Sequence, residues 1–349
     1  MSNPAIIDLP DRVRDRDIFR DDQGRMFVTL GYIQPKDRVL SFLKYVPDEN
    51  GKWQAGSIRY KRIFWGSVDS TVEGMSLLPP DYTIFDSHFQ TDLVEPPRAT
   101  IRDYFNPERR LSEIVTEPKD TLEELVQIAA ETLHDALNLP LNNLGISGSI
   151  LWKGHNPRFS DINMNIYGFK ESWNLQENYA NLENIETQTR IRDLPEWGHG
   201  IERVRKRVPT LDLNDLQRLF SRRKALCIRD RCIGITPILK PEEAPIDHGS
   251  ESYTTLTQKP VKLSMVVENA EFGIFHPAIY TTEPATIDGI SVTRIMIYDG
   301  AFGGLFKNGD RIEVSGTLQR VNQSAGDEYH QLMIGTKSGS GKEYVKLVP

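Results

Sequence analysis

The chain of 349 residues is predicted to be an α+β protein in three parts. These are a β-rich N-terminal domain over 1–115, an α/β core over 116–245 and a small β-barrel over 246–349. Three observations carry the prediction. The length exceeds one typical domain. Alternating runs rich in β-branched and aromatic residues dominate both ends. Between them, apolar residues recur at helical spacing around short strand-like runs.

Residues 1–20 read as charged and irregular. Met26–Ile33, Arg38–Val46 and Ser57–Phe64 then read as strands, with Asp48-Glu49-Asn50-Gly51 as a turn. Pro79-Pro80 and Pro96-Pro97 punctuate the remainder of this domain.

In the core, Thr121–Leu137 is the clearest helix. Leu122, Leu125, Val126, Ala129, Leu133 and Leu137 fall at three- and four-residue steps, and Asp120 or Thr121 is placed to cap it. His134 reads as a packing or surface histidine. A loop over 138–143 leads to a short strand, Leu144–Ser147. After Tyr167 the pattern is helical through 170–225, broken at Pro195 and Pro209, with Asp212 opening a second capped run. Cys232–Leu239 reads as a strand and Lys240–Pro245 as a linker.

Beyond the linker lie six more strand-like runs: Val261–Glu268, Ala278–Thr282, Val292–Tyr298, Arg311–Arg320, Tyr329–Ile334 and Tyr344–Leu347. Short strands separated by Gly, Asp and Asn turns predict a small barrel. The stretch Gly309–Gly316, followed by a hairpin and a second strand, resembles part of an OB-fold.

The composition, 38% hydrophobic and 26% charged, is that of a soluble globular protein. No apolar run approaches the roughly 20 residues that span a bilayer, so no membrane partner is expected. The start lacks the basic and apolar regions of a secretory leader. The two cysteines, Cys227 and Cys232, form neither a Cys-x-x-Cys pair nor a zinc set, and their number excludes a disulfide framework. A cytoplasmic location is expected.

The net charge of −7 argues against a chain coated in nucleic acid. Residues 201–231 nevertheless carry ten Lys or Arg against four acids, leaving −13 for the rest. Such a stretch predicts either a local anion site or only a solvated helix face.

The sharpest pattern is Gly148-Ser149 and then Ser160-Asp161-Ile162-Asn163 at the head of a strand, with eleven residues between Ser149 and Asp161. Acids at i and i+2 of a strand share one face and can grip metals together. A Gly-Ser turn opening a helix presents N–H groups where phosphates sit. Here Asn163 stands at the second ligand position. Its amide oxygen brings no charge, and hard divalent cations depend on carboxylates. The third carboxylate has no clear counterpart, and Asp230 between two arginines reads as an ion-pair member.

This pattern resembles the active-site signature of the DNA polymerase beta-like nucleotidyltransferases, with Asn163 in place of an acid. The whole chain is similar to an archaeal group of predicted nucleotidyltransferases with a β domain, a transferase-like core and a C-terminal β domain. The likeness runs through Leu30–Val39, Phe42–Pro47, His155–Ile162 and Phe275–Tyr280. It implies transfer of a nucleoside monophosphate from a nucleotide triphosphate with Mg²⁺. Asp161 and Asn163 would be catalytic and metal-binding. Gly148, Ser149, His155, Arg222, Arg223 and Lys224 would hold the phosphates.

Asn163 is open to three readings: a module that has lost catalysis, a weak enzyme with borrowed ligands, or an introduced substitution. The alternative to an enzyme is a nucleotidyltransferase-fold module that binds nucleotide, RNA or a protein partner. Lys337–Lys342 lacks P-loop register, and Gly145–Ser149 departs from Gly-x-Ser-x-Gly at its last residue.

Overall fold

The computed structural model describes residues 9–348, apart from 65, 67, 184, 186 and 187. It is an α+β protein built on three principal sheets and a separate hairpin.

The first sheet is antiparallel and six-stranded. Its order is Trp53–Ala55, Ile58–Arg62, Ser41–Pro47, Met26–Thr29, Ile18–Asp21, Ile101–Phe105. Ile18–Asp21 therefore lies inside the sheet, which corrects the expectation that residues up to 20 are irregular. Its surrounding acids mislead because they are buried and serve main-chain donors. Asp15 accepts the Gly31 N–H at 2.7 Å, Asp17 that of Arg14 at 2.8 Å, and Asp21 those of Gln23 and Arg25. Buried polar groups persist where they are bonded in this way.

Helix Pro107–Thr116 follows, with Asn106 capping the Arg109 N–H and proline at the first helical position. It spans the junction expected at 115/116. Ile18, Phe42, Tyr45 and Tyr60 of the first sheet share one apolar core with Leu111, Val126, Trp152, Ile162 and Met164. The first sheet and the core sheet are thus packed against one another.

The core sheet is mixed and five-stranded, in the order Thr189–Ile191, Leu226–Ile228, Arg231–Ile238, Ile162–Tyr167, Leu144–Ile146. Ile162–Tyr167 runs parallel to Arg231–Ile238 and antiparallel to Leu144–Ile146. Helix Thr121–Leu137 buries Leu122, Leu125, Val126, Ala129 and Leu133, and Asp120 caps the N–H groups of Leu122 and Glu123. Cys227 and Cys232 are direct partners across a tight hairpin and form a disulfide. Two cysteines make no framework, but strand pairing brings these two face to face.

The third sheet closes into a ring. Val261–Asn269, Ala278–Ile287, Ile290–Ile297, Glu328–Ile334 and Arg311–Gln323 pair in succession, and the last returns to the first. Only Ile290–Ile297 and Glu328–Ile334 are parallel. Arg311–Gln323, with 13 residues, is long enough to pair also with Glu251–Thr255 and Tyr344–Leu347. Helices Gly198–Arg207 and Leu213–Phe220 bury Ile201, Val204, Leu216, Leu219 and Phe220 in the core of this ring. Hairpin Thr83–Asp86/Thr91–Val94 is tied toward Glu251–Thr255 by His248, whose Nε2 lies 2.6 Å from Asp86. Among the described residues no helix is long and apolar enough to cross a membrane.

Candidate functional site

The strand Leu144–Ile146 delivers Ser147 in extended conformation and then Gly148 at φ +64°, opening a one-turn helix, Gly148–Leu151. Glycine suits this left-handed position, which a Cβ makes unfavourable. A Cβ there would stand 3.4 Å from the Asn163 Nδ2. The Ser147 N–H donates to the Asn163 carbonyl at 2.8 Å. The fold thus brings Gly148 and Asn163 together.

Ser149 is buried and its Oγ lies 3.4 Å from the Ser160 Oγ. Ser160 Oγ accepts the Asn156 N–H at 2.9 Å, and the Ser149 carbonyl accepts that of Gly154 at 2.9 Å. These bonds clasp the two ends of the intervening loop. Asp161 and Asn163 are exposed, whereas Ile162 and Met164 face the core, as the alternation of a strand requires. Asn165 is buried and donates to the Tyr167 hydroxyl at 3.0 Å. Asn163 pairs with Gly234, which offers no side chain. Asp230 sits in the exposed hairpin turn.

Within electrostatic reach of Asp161 is a lysine that the sequence patterns do not mark. Met26 pairs with Tyr45 and Phe27 with Leu43, so Lys44 is the extra residue of a β-bulge. Bulges re-aim side chains and recur beside functional sites. Phe42 and Tyr45, three apart, consequently share one core, and Lys44 stands half-buried within electrostatic reach of Asp161, Arg62 and Arg16. Burial and then the Arg62 and Arg16 guanidinium groups push the Lys44 ammonium down to about 7, against the pull of Asp161. Burial pushes the neighbouring Tyr45 hydroxyl up to about 12. The signal in the sequence was a lone lysine interrupting an apolar strand.

An aromatic run begins beside Lys44, at Tyr45. Trp53 meets Tyr45 edge-on at 5.4 Å and Phe159 at 6.0 Å, and Phe159 is 46% exposed.

The remaining expected phosphate ligands lie elsewhere. His155 Nε2 is 2.8 Å from Asp120 and 3.8 Å from Glu123, with the three ligand atoms within 4.8 Å of one another. This trio has the chemistry of a cation site, but Arg110 already pairs with Glu123 there. Arg222 pairs with Asp310 and donates to the Leu305 carbonyl at 3.0 Å. Arg223 donates to the Gly300 and Ala301 carbonyls, and Lys224 to the Gln176 carbonyl at 3.1 Å. Arg222 and Arg223 thereby fasten the ringed sheet. With Arg207 pairing to Asp299, part of the basic stretch is engaged inside the fold.

The chain is 24% identical over 351 residues to an uncharacterized protein of Methanocaldococcus jannaschii, covering 96% of this chain and 99% of that protein. No family model matches the chain. No solved structure matches it either.

Proposed function

We propose that the surface where the first sheet meets the core sheet, about Lys44 and Asp161, binds the phosphates of a nucleotide triphosphate, in a core of the nucleotidyltransferase type. The bulge at Lys44, which stands within electrostatic reach of Asp161, Arg62 and Arg16, carries this reading. Lys44, Arg62 and Arg16, of which Arg16 also meets Asp15 at 3.4 Å, outnumber the acids in reach, and a polyphosphate is the complementary ligand. The turn at Gly148-Ser149 and the antiparallel strand pair that flanks it support the nucleotidyltransferase likeness. The strand order of the ringed sheet, with its single parallel pair, supports an OB-type barrel.

The Mg²⁺ implied by the resemblance fits this residue set poorly. Asp161 is one carboxylate, Asn163 is neutral and Gly234 has no ligand atom. Lysine and arginine nearby raise the cost of placing a divalent cation there. We therefore favour a phosphate-binding module over a two-metal transferase, and assign charge neutralisation to Lys44, Arg62 and Arg16. A cytoplasmic setting rich in nucleotides suits this role.

Isothermal titration of the four nucleotide triphosphates in EDTA tests the proposal. Binding that survives EDTA supports it. Binding only with Mg²⁺, accompanied by pyrophosphate release, would restore the transferase reading, and no binding under either condition would remove both.

A further inference from the structure

A cleft of about 650 Å³ opens on the ringed sheet. It lies along Ala278–Ile287 and Ile290–Ile297, the second and third strands of the ring, where barrels of the OB type take oligonucleotides. Its charge is of the wrong sign for that ligand. Glu251, Glu268 and Glu271 line it, and Arg294 is the one basic residue among its walls.

Arg294 is already neutralised. Its guanidinium grips Glu251 at 3.1 and 2.8 Å and reaches Gln331 at 2.8 Å. Tyr253 and Tyr329 donate to the same Glu251 at 2.9 and 2.8 Å. This buried network closes on itself. Glu268 and Glu271 remain exposed at the rim, leaving two negative charges beside the apolar walls of Ile279 and Phe272.

The wall is also interrupted. The register shifts between Val267 and Asn269 on one side of Ala278–Ile287, and between Thr281 and Ala285 on the other. At that irregularity Thr282 lines the cleft, 1% exposed, and its hydroxyl Oγ1 has no partner within the described protein. A buried hydroxyl without a partner is uncommon and calls for a bonding group from outside.

We propose that this cleft binds a linear aliphatic polyamine in its protonated form. The methylene stem lies on the apolar wall. One ammonium donates to Thr282 Oγ1, and another is held between Glu268 and Glu271. The site is independent of Lys44 and of the nucleotide reading.

Titration of the full chain with spermidine at low salt tests this. The parent chain is expected to bind, with affinity falling as salt rises. Glu268→Gln with Glu271→Gln is expected to weaken binding at least about tenfold, and Thr282→Val alone several-fold. Glu124→Gln with Glu131→Gln makes the same change of charge on an exposed helix face and is expected to have no effect. Circular dichroism and thermal melting confirm that each variant is folded. Absence of spermidine binding by the parent chain overturns the proposal. So does equal weakening by both double variants, which would mark binding as nonspecific attraction to an acidic protein, or undiminished binding in Glu268→Gln with Glu271→Gln.

Discussion

Asn163 and Gly234 are direct partners in the parallel strand pair at the middle of the core sheet, and the Asn163 Oδ1 lies 3.1 Å from where a Gly234 Cβ would stand. One strand offers an uncharged amide and its neighbour offers nothing. Asp161 is left as the acid of this edge.

Asn163→Asp is expected to raise Mn²⁺ affinity about tenfold, by adding carboxylate charge beside Asp161. It is not expected to create a transferase, because Gly234 still supplies no ligand. Electron paramagnetic resonance of bound Mn²⁺ measures the first effect and release of labelled pyrophosphate the second. Unchanged Mn²⁺ affinity would show that these two positions do not share a cation.

Lys44 makes stability depend on pH. Its folded pKa of about 7 lies below the ordinary 10.5, so between these values the unfolded chain holds a proton that the folded chain has lost. Stability therefore rises with pH across that window, and the cost of the buried ammonium is fully present below about 7. Lys44→Met is expected to stabilise the protein by about 1–2 kcal/mol at pH 6 and by much less at pH 10, after discounting for solvent screening. Urea denaturation at both pH values measures the difference. An equal effect at both would show that the Lys44 ammonium is not desolvated in the folded chain.

Glu95 acts in the opposite direction. It is 1% exposed, and burial together with the Asp86 carboxyl pushes it up from 4.5 to about 8. It folds in the protonated form at neutral pH. Its contribution is fully present below 4.5 and is lost as pH rises through about 8. Glu95→Gln, which keeps the shape without the charge, is expected to gain about 1–2 kcal/mol relative to the parent chain at pH 9, and little at pH 5. Thermal melting across this range tracks the change, and a parallel shift at both ends would contradict the assignment.

Gly148→Ala is expected to cost about 1–2 kcal/mol, because its φ of +64° lies in the left-handed region. It is also expected to weaken nucleotide binding by disturbing the contact with Asn163. A variant as stable as the parent chain would mean that this turn relaxes freely.

Much of the architecture was legible in periodicity. The helix Thr121–Leu137 occupies the residues that the apolar spacing marks, and Asp120 caps it. The runs read as barrel strands fall within Val261–Asn269, Ala278–Ile287, Arg311–Gln323, Glu328–Ile334 and Tyr344–Leu347, and the sixth, Val292–Tyr298, overlaps Ile290–Ile297. What escaped was structure whose cause is tertiary. Ile18–Asp21 hides among acids because those acids bond distant N–H groups. Helix Pro107–Thr116 was missed although Asn106-Pro107 signals its start. The turn at Gly148 was legible, but the cation within reach of Asp161 was not. Lys44 reaches the site through an unpaired residue in strand register, and no local pattern of apolar and polar residues records such a slip. The basic stretch misled in the other direction, since Arg207 and Arg222 answer Asp299 and Asp310 far along the chain.

The most direct measurement is titration of adenosine triphosphate in EDTA into the parent chain and into Lys44→Met. The account predicts metal-independent binding by the parent chain, weakened at least about tenfold by the loss of one desolvated cation. Equal affinity of the two proteins for the nucleotide would contradict it.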